Sequence, residues 1–397
     1  MSRYDLVTPQ GTKDLLFEQC SVRRAVQQKM TKKFSDRGFH EVITPGIEFF
    51  DVFDTSSRYL PQEIMYKLVD NKGRLLVMRP DNTTPIARLA ATRLKNEPMP
   101  LRLYYHQNVY RVSPSLKGRS DETIQMGVEL IGSGSAKADL EIIGMAASCL
   151  REFSPDYRIE IGHSGFFKIL SESLPADRRT KRDIQKAIES KNYAALNDLL
   201  DSLEASEASA ALKQLPRLFG GEEVFPAAAA LFHDDRAREI LDSLEKLYHN
   251  LKALGLGENI MLDLGLANSH DYYTGVIFTG YLQGIGEPVL SGGRYDNLLI
   301  EFGADLPAIG FGLDVDSVSK FLMEKDPSGR SRPADMLVHA NEGYCIQALG
   351  YLSRKIAENN VCEYSCFDSV EDAKSYCKEK GIRELHIVDE TTTIMGL

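Results

Sequence analysis

Apolar and polar residues alternate along two runs of the chain, 101–105 and 126–130, which flank a polar loop. Two alternating runs around a loop predict a pair of antiparallel strands. Gln125 and Glu129 are four residues apart, so they lie on one face of the second strand, and Arg111 ends the first strand. This arrangement suits either a pocket for a small charged ligand or a solvated sheet face, and the spacing alone leaves both open.

Helical periodicity accounts for most of the remaining chain. The apolar pattern predicts helices over 15–37, 84–95, 136–153 and 315–323. It predicts further strands over 65–69, 74–78, 158–162, 259–264, 276–279 and 308–311. Between them, residues 165–256 carry helical periods broken only at Gly220-Gly221, which indicates an all-helical insertion.

The last part of the chain has a different pattern. Residues 326–333, DPSGRSRP, have the composition of a linker. Beyond them the pattern predicts a strand over 336–339, helices over 344–358 and 370–380, and a closing strand over 385–388. We therefore expect two domains, an α+β domain over 1–325 and a small α/β domain over 333–397.

Composition narrows the function classes. The chain has 397 residues, 43% of them hydrophobic and 26% charged, with 47 basic against 57 acidic residues and a net charge of −10. A general nucleic-acid-binding surface would be basic, so nucleic acid is an unlikely partner. No apolar stretch is long enough to cross a bilayer, and the polar first residues do not resemble a signal peptide, so we expect a cytoplasmic protein.

The six cysteines do not form a metal-binding pattern. Cys362 and Cys366 are spaced CxxxC, and no second pair or nearby histidine cluster completes a zinc site. We expect free thiols and no metal.

Residues 104–132, YYHQNVYRVSPSLKGRSDETIQMGVELIG, resemble motif 2 of class II aminoacyl-tRNA synthetases, and among them the histidyl enzyme. Other segments resemble further histidyl-enzyme motifs in the same order: TPQGTKDL (8–15), GFHEVITP (38–45), MRPDNTTP (78–85), HDYYTG (270–275), SGGRYD (291–296) and PAIGFGLDVD (307–316). The resemblance covers about residues 1–320. It implies a class II synthetase-like antiparallel sheet flanked by helices, with a helical insertion.

Several positions depart from the catalytic pattern of the histidyl enzyme. Where that family carries a Glu and three Arg residues, this chain has Ser113, Asp121, Asn268 and Ser317. Adenylation needs cations that stabilise charge on the reacting phosphate, and the loss of one such group costs roughly 3–4 kcal/mol. The resemblance therefore implies a synthetase fold without adenylation chemistry and with no catalytic residues.

The positions that match the family's histidine contacts are retained. They are Asp81, Thr83, Arg111, Gln125, Glu129, Tyr272, Tyr273 and Tyr295. Asp81 replaces a longer Glu. A carboxylate pairs with an α-ammonium group, and Glu129 accepts a hydrogen bond from an imidazole nitrogen.

A retained pocket beside altered catalytic positions resembles the family of ATP phosphoribosyltransferase regulatory subunits. The resemblance implies a role in the first step of histidine biosynthesis, with L-histidine as ligand and no cofactor. It implies a short-form catalytic subunit as partner and a homodimer within a larger hetero-oligomer. The helix over 15–37 would lie in the homodimer interface, although its pattern equally suits an ordinary core helix.

Two other functions remain open at this stage. A working histidyl-tRNA synthetase or related adenylate-forming enzyme would need the missing cations. A sensor of uncharged tRNA would need a basic surface and a full anticodon-binding domain, and the C-terminal domain is shorter than that domain usually is.

Three local features also allow two interpretations. Adjacent tyrosines in a strand point to opposite faces, so one of Tyr272 and Tyr273 would face a pocket while the other packs in the core. The basic cluster over 178–182 is either a solvated helix face, which we favour, or part of a tRNA-binding stripe. His163, which follows a strand, is typical of a structural residue rather than a ligand.

Overall fold

The computed structural model describes residues 4–54, 60–112, 120–266, 272–325 and 333–397. Its contacts divide the chain into two units, Met1–Lys325 and Asp326–Leu397. The strands of the first unit are β1 (His40–Glu41), β2 (Ile47–Phe49), β3 (Lys67–Val69), β4 (Leu75–Met78), β5 (Leu101–Tyr110), β6 (Glu122–Ile131), β7 (Tyr157–His163), β8 (Phe219–Gly220), β9 (Ile260–Asp263), β10 (Val276–Leu282), β11 (Leu290–Arg294) and β12 (Ala308–Asp314). Its helices are α1 (Phe17–Ser35), α2 (Thr83–Thr92), α3 (Ala136–Arg151), α4 (Ser164–Glu172), α5 (Arg178–Glu189), α6 (Tyr193–Asp201), α7 (Glu207–Gln214), α8 (Val224–Leu231), α9 (Asp235–Leu251) and α10 (Val315–Lys325).

Within the described residues, one large sheet has the strand order β1-β5-β6-β12-β11-β10-β7-β9-β8. The predicted antiparallel pair is confirmed as β5 and β6, with Leu103 opposite Glu129 and Gln107 opposite Gln125. The sheet is antiparallel except at two places, where β1 runs parallel to β5 and β7 runs parallel to β9. A separate small sheet has the order β2-β4-β3 and contains the predicted hairpin.

The two faces of the large sheet belong to different cores. Val128 on β6 packs in a core with Phe34 of α1 and Ile143 of α3. Leu103 on β5 belongs to a second core with Ile86 of α2. Residues opposite one another on paired strands share a face, so Glu129 lies on the same face as Leu103. The predicted polar face of β6 therefore points towards the second core.

The insertion is helical over α4–α9, and its predicted apolar positions such as Ile184 and Leu244 are buried. The all-helical prediction is wrong at Phe219–Gly220, which forms β8 and pairs with β9. An edge strand exposes unpaired backbone groups, and β8 satisfies those of β9. Leu264 N also donates to Leu218 O at 3.1 Å, which continues the pairing.

The second unit is a four-stranded sheet with two helices. Its elements are β13 (Met336–Ala340), α11 (Cys345–Ala357), β14 (Cys362–Tyr364), α12 (Val370–Lys380), β15 (Glu384–Val388) and β16 (Thr392–Gly396), with the strand order β14-β13-β15-β16. The predicted helix over 370–380 has the observed bounds, because Ser369 caps its N-terminus and Gly381, at φ 72°, ends it. The prediction that residues 385–388 close the sheet is wrong, since β16 pairs with β15 beyond them.

All six cysteines lie within the described residues and are free thiols. In the described ranges, no helix is both long and apolar enough to cross a membrane.

Candidate functional site

The eight side chains predicted from the sequence meet around one cavity of about 40 Å³ beside β5 and β6. These side chains are Asp81, Thr83, Arg111, Gln125, Glu129, Tyr272, Tyr273 and Tyr295. Tyr105 also lines the cavity. The sequence analysis used Tyr105 only as part of an alternating run, because its place beside Glu129 depends on the register of β5 against β6.

Glu129 is the most buried acid of the cavity, with 1% of its surface exposed. The Tyr295 hydroxyl donates to Glu129 Oε2 at 2.5 Å, and the Thr83 hydroxyl donates to Oε1 at 2.8 Å. Burial raises the pKa of Glu129 to about 8, and the two hydrogen bonds only partly oppose this rise. The carboxyl is therefore mainly protonated at pH 7 and has a proton to share with a ligand.

A glycine makes room for this carboxyl group. Gly310 on β12 lies directly opposite Glu129 on β6. A Cβ atom at Gly310 would collide with Glu129 Oε2 and with the Val128 carbonyl oxygen. The small residue on β12 is therefore what allows an acid to lie flat on the sheet at this point.

Asp81 and Arg111 are held by the segment that leads into α2. The Thr84 N–H and hydroxyl both donate to Asp81 Oδ2 at 2.8 Å, so one carboxylate oxygen ties Asp81 to the start of that helix. Arg111 Nε donates to the Pro80 carbonyl oxygen at 2.6 Å. These bonds fix an acid and a base of opposite charge on the rim of one cavity.

The two adjacent tyrosines do not lie in a strand, since β10 begins at Val276. Both line the cavity, with their ring centroids 4.7 Å apart, and Tyr272 meets Tyr295 edge-on at 5.6 Å. The prediction that they point to opposite faces is wrong, because the period of two holds only inside a strand. Gly293 accommodates the Tyr273 ring, which lies 2.8 Å from where a Cβ atom would be.

Residues at the positions that depart from the histidyl-enzyme pattern take part in structural hydrogen bonds. Asp121 accepts from the Tyr66 hydroxyl at 2.5 Å. The Ser317 hydroxyl donates to Asp314 Oδ2 at 3.0 Å. Asp316, beside Ser317, pairs with Arg23 at 2.9 Å. Asp121, Asp314 and Asp316 therefore place acids at or beside two of the positions that the resemblance marks as altered, while Ser113 and Asn268 lie outside the described residues.

Two residues outside the predicted pocket set, Arg79 and His163, have structural roles. Arg79 is 4% exposed and donates to the carbonyl oxygens of Thr44 and Asn108, which anchors the loop before Asp81. His163 Nδ1 accepts from the Gly165 N–H at 3.1 Å and caps α4, and burial lowers the pKa of His163 to about 4. Across the described ranges, no group of three His, Cys, Asp or Glu residues could hold a metal ion.

Known proteins match nearly the whole chain. The histidyl-tRNA synthetase family model matches residues 11–318. The ATP phosphoribosyltransferase regulatory subunit of Clostridium kluyveri is 39% identical over 391 residues, which is 98% of this chain and 100% of that protein. The protein of the same name from Clostridium acetobutylicum is 38% identical over 395 residues, covering 98% of this chain and 96% of the relative.

Solved structures agree with these sequence matches. A Bacillus halodurans C protein described as an ATP phosphoribosyltransferase regulatory subunit/histidyl-tRNA synthetase has a TM-score of 0.82 at 30% identity, covering 94% of this chain and 97% of that one. A histidyl-tRNA synthetase from Nostoc has a TM-score of 0.77 at 17% identity, covering 99% and 97%, which shows the fold alone. The class II synthetase-like fold predicted from the motifs is confirmed, and the chain belongs to the family of ATP phosphoribosyltransferase regulatory subunits of histidine biosynthesis.

Proposed function

We propose that this chain is a non-catalytic subunit that activates a short-form ATP phosphoribosyltransferase and makes the complex respond to L-histidine. One observation carries the proposal: eight residues at histidine-contacting positions meet around a single cavity, while Asp121 and Ser317 stand where adenylation needs cations. A retained ligand pocket without the catalytic charges is what a sensor requires.

In this proposal the imidazole of histidine shares a proton with Glu129. The carboxyl is neutral at pH 7 and donates to a neutral imidazole, or it transfers the proton and accepts from an imidazolium. The α-ammonium group of the ligand pairs with Asp81, and its carboxylate pairs with Arg111. The ligand is thereby recognised at both ends, which distinguishes histidine from amino acids with apolar side chains.

The small volume of the cavity supports a role in switching. Its 40 Å³ correspond to a few water molecules at roughly 10–15 Å³ each, which is less than a histidine needs. Histidine would bind only after lining side chains move apart, and it would therefore favour a wider conformation over this one. Such a difference in affinity between two conformations is the requirement for allosteric control.

Catalysis of adenylation by this chain is disfavoured by the same charges. The resemblance leaves Arg111 as the cation of motif 2, and Asp121, Asp314 and Asp316 add negative charge near the positions of the missing arginines. Acids there would repel a polyphosphate rather than stabilise it.

Exposed apolar side chains near α1 and β1 support the homodimer in this proposal. Phe17 is 77% exposed and Ile43 is 78% exposed, and Ile47 and Phe49 on β2 are also exposed. Three of these side chains lie within the short segment 43–49, and exposed apolar side chains that a partner covers are typical of protein interfaces. We assign this surface to a second copy of the chain, and the dimer to a larger complex with the catalytic subunit.

The main test measures the phosphoribosyl transfer rate of a short-form catalytic subunit with and without this chain. We expect a clear rate increase on addition, suppression by histidine, and co-elution of the two proteins. An unchanged rate without co-elution would contradict the regulatory assignment. ATP–pyrophosphate exchange that depends on histidine and proceeds at an enzymatic rate would establish a synthetase instead.

A second test addresses the pocket itself. Calorimetry with histidine compares the wild type, Glu129→Ala and the control Glu239→Ala, an exposed acid on α9. We expect binding to be lost in Glu129→Ala and retained in the control. Equal affinity in all three proteins would overturn the assignment of the pocket.

A further inference from the structure

A second and much larger cavity, which we call the basic cleft, lies between the helical insertion and the tyrosine pair. Its volume is about 760 Å³. Its charged lining consists of Lys168 on α4 and Arg178, Lys181 and Arg182 on α5, with Glu172 as the one acid among the described lining residues. Arg178, Arg179 and Arg182 are exposed, as predicted for a solvated helix face. Arg178, Lys181 and Arg182 also line this open cleft.

Among the described residues, the cations of the basic cleft outnumber the acids that could neutralise them. Glu172, the single acid, is 3.3 Å from Arg236, and its carbonyl oxygen accepts from Lys181 Nζ at 3.2 Å. Lys168, Arg178 and Arg182 form no ion pair with any described residue. A net positive surface thus remains in a chain whose overall charge is −10.

Helix stability does not explain where these cations lie. Arg178, Lys181 and Arg182 are spaced i, i+3 and i+4, so they lie on one face of α5. They lie within the first five residues of α5, and the acid at this end is Asp177, whose side chain caps the helix. Cations near a helix N-terminus oppose the helix dipole, at a cost in stability that is largest for Arg178, in the first turn. A bound anion would offset that cost.

The basic cleft and the histidine pocket share a wall. Tyr272 and Tyr273 line both cavities. The start of α4 is also tied to the residue before β10, because the N–H and hydroxyl of Ser164 both contact the Gly275 carbonyl oxygen, at 3.0 and 3.1 Å. A ligand in the basic cleft would therefore touch the same rings as a ligand in the pocket.

We infer that the basic cleft binds a small organic polyphosphate, such as a nucleoside triphosphate, and that its occupancy changes histidine affinity through Tyr272 and Tyr273. Arginine presents a planar fork of donors that matches phosphate oxygens, and two arginines and a lysine suit a ligand with more than one phosphate. The volume lies in the range of roughly 300–1,000 Å³ that is usual for small-ligand sites. Phe167, Leu266 and the tyrosine rings provide an apolar surface for a base.

The observations favour this ligand over a nucleic acid. The basic face from Arg178 to Gln185 extends over only about 10 Å of helix, at 1.5 Å per residue. A nucleic acid strand would need a longer basic path, and the chain as a whole is acidic. Polyphosphate binding does not depend on histidine being the ligand of the smaller pocket, whereas the coupling rests on the proposed function, and the two are tested separately.

The test uses calorimetry on the full-length chain at low salt, with ATP and inorganic pyrophosphate as probes. Arg178→Gln/Arg182→Gln removes two cleft cations, and Arg179→Gln is the matched control, since it removes an exposed cation of the same helix that does not line the basic cleft. We expect at least tenfold weaker binding in the double variant and binding within twofold of wild type in the control. Tighter binding of ATP than of pyrophosphate would show that the nucleoside or the third phosphate contributes, and equal binding would show that two phosphates are enough for recognition.

Three outcomes would overturn the inference: no binding of either probe at millimolar concentration, the same loss in Arg179→Gln as in the double variant, or binding of tRNA without binding of either probe. Circular dichroism checks that both variants fold.

The coupling is tested by measuring histidine affinity with and without saturating ATP. We expect a change of at least fivefold, and the same factor for ATP when histidine is saturating, because binding linkage is reciprocal. A change in the wild type that disappears in the double variant supports the shared wall. An unchanged histidine affinity overturns the coupling. If ATP binds as expected and histidine does not bind at all, the proposed histidine sensor fails and the polyphosphate site stands.

Discussion

Replacing Glu129 by Gln tests whether the central acid of the pocket is neutral in the folded protein. Gln has nearly the shape of a protonated Glu and carries no charge at any pH. Its amide can meet the hydroxyls of Thr83 and Tyr295 much as the protonated carboxyl does. The variant therefore isolates the effect of ionisation from the effect of packing.

The size of the expected change in the free energy of unfolding follows from the raised pKa of Glu129. The pKa of Glu129 is about 8 in the folded protein against an ordinary value of 4.5, so the folded state holds the proton more tightly. This contribution to stability is complete below pH 4.5 and is lost as the pH rises to about 8. Between pH 6 and pH 9 the wild type should lose about 3 kcal/mol through this one group, at roughly 1.4 kcal/mol per pH unit.

Urea unfolding at pH 6 and pH 9 measures this loss. We expect Glu129→Gln to be more stable than wild type by about 2 kcal/mol at pH 6, because the unfolded carboxyl of the wild type is already ionised there, and by about 5 kcal/mol at pH 9. Glu239→Gln, which changes an exposed acid, should follow the wild type at both pH values. If the difference between Glu129→Gln and wild type is the same at pH 6 and pH 9, the carboxyl ionises normally and the reasoning fails.

Three further predictions concern ligand affinity and packing. If histidine shares one proton with Glu129, the affinity of the chain for histidine should be constant between about pH 6.5, the ordinary imidazole pKa, and about pH 8. Above pH 8 the affinity should fall about tenfold per pH unit. Calorimetry that shows constant affinity up to pH 9.5 would contradict a shared proton. Gly310→Ala should abolish histidine binding and lower the free energy of unfolding by about 1–3 kcal/mol, because the new Cβ displaces Glu129. Its control is Gly350→Ala, where a Cβ meets nothing within 4 Å. Equal effects of the two substitutions would refute the steric argument. Asp263 has its pKa raised to about 6 by burial and by the charge of Glu160, so stability from this group is lost as pH rises from about 4 to 6. Asp263→Asn should therefore be more stable than wild type by up to about 3 kcal/mol at pH 7 and similar to it at pH 4, as urea unfolding will show; an equal difference at both pH values would rule this out.

The proposed histidine pocket and the basic cleft suggest how binding of one ligand would affect binding of the other. Both cavities contact Tyr272 and Tyr273, and the smaller one is too small for its proposed ligand in this conformation. Movement of two rings would therefore change both cavities at once. The two calorimetric series, one with histidine and one with ATP, separate a single coupled site from two independent ones.

Local sequence patterns were sufficient to predict those helices and strands whose own residues determine their type and ends. The alternating runs predicted β5 and β6, and capping by Ser369 and Gly381 marks the ends of α12 within the sequence. Motif order identified the family and selected eight residues that the fold brings to one cavity. These inferences succeed because period, caps and motifs are properties of neighbouring residues.

Other features depended on residues far apart in the chain. β8 and β16 exist because neighbouring strands offer unpaired backbone groups, and neither has a clear alternating pattern of its own. Tyr105 reaches the cavity through strand register. The basic cluster over 178–182 faces a cleft only because α5 packs opposite Tyr272.

Residue types and their spacing were enough to predict the strands and helices with strong periods, the family and the residues of the candidate pocket. The packed fold was needed to show that Glu129 is buried enough to raise its pKa to about 8, that both tyrosines line one cavity, and that the cations of α5 line a second cavity beside them. The reason is physical: a residue's type and spacing are written along the chain, whereas burial, charge environment and enclosed volume arise from distant segments packed together.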